Sequence, residues 1–264
     1  VKPFLPCLRA LVLALACASA ATGTLGAQRA APEAKAEARA PQELHQRLDT
    51  SSPAHAQDVA LTLDACGGGY DRDVIAMLVR LQVPATIFVT RRWLDANPAA
   101  AQELLAHPAL FDLQNHGAAH VPAVVGGEVY GMPGARDATA IEKEVDGGAQ
   151  AVARITGRAT TWYRGAGAVY DPSGMQAIAR RGHRIAGFSL NADDGGTLGA
   201  AAVARRLQQA RPGDIVIAHL NRPAAGTAEG LAAALPELLA RNLKFVTLSQ
   251  AAGVQPAARG ERKR

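Results

Sequence analysis

The chain has 264 residues, 48% of them apolar and only 4% aromatic, with a formal net charge of +5. That length suits one large domain with appendages, and the apolar fraction fills a sizeable core of mostly small side chains. The positive excess sits at the two ends, in Lys2 and Arg9 and in the tail ARGERKR, so the body is close to neutral, which argues against a nucleic-acid partner.

In chain order, Lys2 and Arg9 bracket the start of an apolar run, LVLALACASA, that is short for a bilayer span. With small-residue cleavage sites at Ala18-Ser19-Ala20 and Leu25-Gly26-Ala27, residues 1–27 read as a secretory signal peptide. The expected location is therefore exported, periplasmic or secreted. A lipid anchor at Cys17 is disfavoured because Ala14 stands where such sites carry Leu, and no stable membrane insertion is expected after signal cleavage. Cys7 and Cys17 fall in the signal, so the mature chain keeps Cys66 alone and forms no internal disulfide. Residues 28–57 are rich in Ala, Pro and balanced charge, and read as a linker with a short helix near PQELHQRL. Residues 253–264 read as a basic tail.

From residue 58 to 252, short apolar runs alternate with helical stretches. The strand candidates are VALTL (59–63), ATIFVT (85–90), ALFDLQ (109–114), TTWYR (160–164), RIAGFSL (184–190), DIVIAHL (214–220) and KFVTL (244–248). Helices are expected over 71–82, 91–107, 137–157, 171–182, 198–210 and 226–242. This alternation predicts an α/β fold with a parallel sheet, either open and doubly wound or closed as a barrel.

Polar residues fall where the strands stop. The first run ends at Asp64 and the third at Asn115-His116, with His120 four residues on. The fourth ends at Arg164, the fifth runs into Asn191, Asp193 and Asp194, and the sixth ends at His219. In a parallel barrel all these ends open on one face, where an active site is built. Two nearby histidines can hold a divalent metal through ring nitrogens. A carboxylate beside a water can take its proton, and a histidine opposite can protonate a leaving group. At least one of Asp193 and Asp194 is expected to be a turn acid before Gly195-Gly196.

The motifs resemble those of the polysaccharide deacetylases, the NodB-homology domain of carbohydrate esterase family 4, over roughly residues 58–250. "LTLDAC" resembles T-F-D-D-G, "NHGAAH" resembles H-[ST]-x-x-H, "YRGAGAVYD" resembles R-x-P-Y-G-x-Y, and "IVIAHL" resembles the strand carrying the late histidine. The resemblance implies a distorted (β/α)7 barrel and removal of acetyl groups, N- or O-linked, from an acetylated glycan. It implies Asp64 as base, Arg164 orienting it, His219 as acid, Asp194 as the fourth-motif acid, and His116 and His120 as ligands of a divalent metal, Zn2+ first, with Co2+ or Mn2+ as alternatives. Ala65 stands where the family has its third ligand, an aspartate. A substitute is Asp64 itself, the Cys66 thiolate, which would favour zinc, or Asp71. The third motif lacks its Pro and Tyr and the fourth lacks its Trp, which implies a wider groove. The Gly-rich segments 67–69 and 126–134 are rims of that groove or plain loops. A glycan-binding protein that keeps the fold without catalysis is the second reading.

Overall fold

The computed structural model describes residues 40–256, so the signal peptide, most of the linker and the end of the tail lie outside the described residues. Two strands come first, β1 (Gln42–Glu43) and β2 (Gln46–Leu48). Next are β3 (Asp58–Ala65), α1 (Arg72–Leu81), β4 (Ala85–Val89), α2 (Arg91–Ala96), α3 (Pro98–Leu105) and β5 (Phe111–Asn115). A hairpin of β6 (Glu128–Val129) and β7 (Met132–Pro133) precedes α4 (Ala138–Thr156), β8 (Trp162–Tyr163), β9 (Val169–Tyr170) and α5 (Pro172–Arg180). The chain continues through β10 (Arg184–Ile185), β11 (Leu190–Asn191), α6 (Ala200–Leu207), β12 (Ile215–His219), α7 (Thr227–Ala240), β13 (Lys244–Val246) and β14 (Val254–Pro256).

Seven strands pair in the order β10-β8-β5-β4-β3-β12-β11, and β13 pairs with the first half of β3; every ladder is parallel. The sheet curls into a distorted (β/α)7 barrel. Its closure corrects one expectation. Residues 184–190 are not one strand: β10 ends one side of the sheet, β11 ends the other, and Ala186–Ser189 crosses the gap. The backbone there pairs with the N-terminal segment, as Phe188 N–H donates to the Leu44 carbonyl and Gln46 N–H to the Phe188 carbonyl. Gly187 lies so close under the Leu44 carbonyl that a β-carbon would not fit.

The N-terminal segment is a second correction. The short helix expected near 41–48 is absent, because β1 pairs antiparallel with β9 and β2 with β14. Those edges satisfy backbone groups that a lone helical turn would leave open. Paired structure thus begins at Gln42, before the expected boundary at Asp58, and runs into the expected tail. A third difference is the break of the 91–107 helix into α2 and α3 at Asn97-Pro98, since proline has no N–H to give an interior turn.

Side-chain alternation along β3 sorts the core. Val59, Leu61, Leu63 and Ala65 face outward onto Val74 and Leu78 of α1 and Leu235 of α7. Ala60 faces inward with Phe88, Trp162, Ile215 and Ile217. Burying each large aliphatic or aromatic group contributes roughly 1.5–3 kcal/mol. Thr62 and Asp64 share Ala60's parity, so they too point inside. Among the described residues no helix is long and apolar enough to cross a membrane.

Candidate metal and acid–base site

The ends of β3, β5, β8 and β12 meet at one mouth, above a cavity of about 1300 Å3. Asp64 is 3% exposed and Arg164 fully buried. The guanidinium donates from Nη1 to Asp64 Oδ1 (3.0 Å) and Thr62 Oγ1 (2.7 Å), and from Nη2 to the Gly187 carbonyl (2.9 Å). It also lies over the Phe88 ring, 4.5 Å from its centroid. Asp64 Oδ2 is left facing His116 Nε2 at 3.8 Å.

The same alternation places the thiol. Ala65 packs outward among the helices, which is why it carries no polar group, and Cys66 returns to the side of Asp64. Cys66 Sγ is 3.4 Å from His116 Nε2. The Thr90 hydroxyl (2.9 Å) and Arg92 Nη2 (3.1 Å) donate to the Cys66 carbonyl and fix the turn. His116 donates from Nδ1 to the Arg164 carbonyl (2.7 Å); because a carbonyl only accepts, this sets the tautomer and turns the lone pair of Nε2 toward the thiol.

His120 reaches the cluster from a loop, not a helix. Its backbone has φ 67° and its ring stands edge-on to His116, centroids 4.8 Å apart. The loop is held by Asn115 Oδ1, which accepts from Gly117 N–H (2.8 Å), and by the buried Glu144 carboxylate of α4, which accepts from Ala119 N–H (2.8 Å) and Val121 N–H (3.2 Å). At Gly117, φ is 90° and a β-carbon would strike Glu144. Nothing local in the sequence marks Glu144 as more than a helix-surface acid.

His219 is the direct cross-strand partner of Asp64. Its Nδ1–H is held by Asp193 Oδ1 (2.8 Å), and its backbone N–H donates to Asp193 Oδ2 (2.7 Å). Thr227 Oγ1 donates to the same oxygen (2.9 Å). Asp193 is fully buried. The acid that supports His219 is therefore Asp193 and not Asp194, which is exposed, has φ 52°, and donates its N–H to Asn191 Oδ1 while lining the cavity. In β11 and the turn after it, one residue's shift decides which acid enters the core.

Charge balance in the cluster is tight. Burial pushes the Asp64 carboxyl up, but the Arg164 guanidinium, then His116 and His219, outweigh it and hold it below the usual carboxylate range. Burial likewise raises the Cys66 thiol, yet His116 foremost, with His120 and His219, brings it well below the ordinary thiol value. For His219, burial disfavours the cation, while the Asp193 hydrogen bond and Cys66 raise its pKa well above that of a free imidazole.

The Cys66, His116 and His120 donor atoms lie within 4.8 Å of one another. A thiolate and two imidazoles, one with its tautomer fixed for ligation, fit a divalent metal with an open position. Of the substitutes for the missing aspartate, Cys66 is the one in place. Asp64 is committed to Arg164 through one oxygen, and Asp71 caps α1 by accepting from Asp73 N–H and Val74 N–H.

The fold is thus a curled parallel barrel with acid, arginine, histidines and thiol gathered at its strand ends. The polysaccharide deacetylase family matches residues 51–186, just over half of the chain. Solved structures agree on the fold. BA3943, a CE4 family pseudoenzyme from Bacillus anthracis, superposes with TM-score 0.65 at 17% identity, over 80% of this chain and 69% of that one. The Bc1960 peptidoglycan N-acetylglucosamine deacetylase gives 0.64 at 17% identity, over 76% and 89%. A family 4 acetyl xylan esterase from Clostridium thermocellum, in complex with a cobalt ion, gives 0.59 at 22% identity, over 73% and 89%. No curated protein sequence matches the chain. The chain belongs to the polysaccharide deacetylase family.

Proposed function

We propose that the chain is an exported hydrolase that removes acetyl groups from a cell-envelope or extracellular polysaccharide, with a divalent metal, zinc foremost, held by Cys66, His116 and His120. The observation that carries this reading is the position of the Cys66 sulfur, which gives the two imidazoles a third donor where the aspartate is missing. Bound there, the metal would supply the positive charge that acidifies water and polarises an acyl carbonyl. Asp64, steadied by Arg164, takes a proton from the attacking water as the new acyl C–O bond forms. His219, kept cationic by the Asp193 pairing at Nδ1, gives its Nε2 proton to the amine or alkoxide as the old acyl bond breaks. Acetate and the free sugar amine or hydroxyl are the products. The run at residues 11–20 with its flanking charges supports export.

The likeness to a pseudoenzyme favours a second reading, a glycan-binding protein with the same barrel and no turnover. Purified protein reconstituted with zinc or cobalt should release acetate from an acetylated glycan, and metal content should vanish in the Cys66→Ala/His116→Ala/His120→Ala variant. Glycan binding by a metal-free protein that releases no acetate would overturn the hydrolase and leave the binder.

A further inference from the structure

The family's groove aromatics are missing from the third and fourth motifs, yet the cavity is not without an aromatic wall. Among the described residues the exposed large hydrophobics are Val125, Tyr130 and Met175, and Tyr130, at 70%, is by far the most open. Tyr130 lines the same cavity as Asp64 and His219. It sits at the tip of the β6–β7 hairpin, whose two-residue turn has Tyr130 at φ 49° and Gly131 at φ 77°. Such turns favour Asn, Asp or Gly at the first position, and a bulky residue there is a conformational outlier.

The ring is braced rather than loose. Its hydroxyl donates to Glu43 Oε1 at 2.5 Å. Glu43 lies in β1, fixed opposite Val169 of β9. On the ring's other flank is Gly167, within the third motif, where a β-carbon would come within 3.1 Å of the ring. Burial, Glu43 and then the nearby Asp194 push the phenol up to about 12, so the hydroxyl stays a donor. An apolar ring held open toward a cleft, with two carboxylates at its polar end, has the chemistry that receives one face of a pyranose and its hydroxyls.

We propose that Tyr130, braced by Glu43 and Gly167, forms a sugar-stacking subsite for a residue of the glycan next to the acetylated one. The subsite rests on the glycan reading given above, but it is a separate surface: it is built by the 126–134 hairpin and the N-terminal strand, not by the metal cluster.

The test is calorimetric titration with tetra-N-acetylchitotetraose and with acetylated xylotetraose, together with turnover of those oligosaccharides and of 4-nitrophenyl acetate. Tyr130→Gly suits the turn's backbone, so loss of fold is not the expected result, and Tyr130→Phe keeps the ring. In Tyr130→Gly the affinity for the preferred oligosaccharide should fall roughly tenfold, the scale of an aromatic face contact. The ratio of kcat/KM on that oligosaccharide to kcat/KM on the aryl ester should fall about as far, with the change in KM, while Tyr130→Phe stays within about threefold of wild type. Unchanged oligosaccharide affinity in Tyr130→Gly, or no oligosaccharide binding by the wild type, would overturn the subsite. Binding that depends on Tyr130 in a protein releasing no acetate would uphold the subsite and remove the hydrolase.

Discussion

Strand β3 carries a buried carboxylate at each end, and the two live in different surroundings. Asp58, at the N-terminal end, is 1% exposed and is paired by His55 Nδ1 at 2.7 Å, with Lys244 Nζ at 3.7 Å. Asp64, six residues on, meets a guanidinium and an imidazole beside a large cavity. The first carboxylate joins β3 to its neighbours, whereas the second is held by an arginine through one oxygen and keeps the other turned toward reactive groups. Burial alone does not mark a site, since Asp58 Oδ1 is also buried without a hydrogen bond; what marks this one is the cavity beside Asp64 and the histidines that line up on it.

The sharpest way to break that contrast is to neutralise each acid. Asp64→Asn should lower kcat on acetylated glycan about 1000-fold, within the span expected for loss of a general base. Asp58→Asn should instead lower the unfolding free energy by about 1–3 kcal/mol in urea titration, with much less effect on kcat. If Asp58→Asn abolished turnover as Asp64→Asn does, the two ends could not be assigned separate roles.

Next in size is metal affinity. Cys66→Ser should weaken zinc binding by about 100-fold or more in a chelator competition, because loss of a mere outer partner already costs about 10–100-fold. Full zinc affinity in that variant would return the third-ligand role to Asp64. Replacing the acids after β11 sharpens the contrast further. Asp193→Asn should cost kcat on the order of 100-fold by freeing the His219 ring, while Asp194→Asn costs less than about tenfold.

The smallest effect concerns His183, which is outside the metal cluster and touches it through Asn115, 3.5 Å from its Nε2. Burial holds its pKa below the free-imidazole value, while the Arg181 carbonyl takes its Nδ1–H and Thr160 Oγ1 meets Nε2 at 2.9 Å. Because the folded value is depressed, the unfolded chain binds the proton first as pH falls through about 6.5. This contribution to stability is therefore complete above that pH and lost as pH drops toward the folded value. Urea midpoints measured from pH 8 to 5 should fall less steeply in His183→Asn than in wild type.

Much of this was legible in the sequence, for local reasons. The β-branched runs located the parallel strands, and polar residues at their C-terminal ends marked the mouth. Strand parity carried one residue past Ala65 would have chosen Cys66 over Asp71, since residues 62, 64 and 66 share a face. What was not legible depends on distant partners. β1 and β2 exist because β9 and β14 offer them edges, and the 184–190 run splits because its middle pairs with Leu44 and Gln46. The choice between Asp193 and Asp194 is set by Thr227 and His219, both far along the chain.

Arg164 spans the barrel's interior, linking Thr62 and Asp64 on one strand to the Gly187 carbonyl in the crossing that closes the sheet. Deleting it would strand a buried carboxylate and a backbone oxygen, a loss of about 3–5 kcal/mol. A descendant that gave up chemistry altogether would thus still be penalised for losing either arginine or aspartate alone. In such lineages the persistence of that pair would record the demands of folding, and not those of turnover.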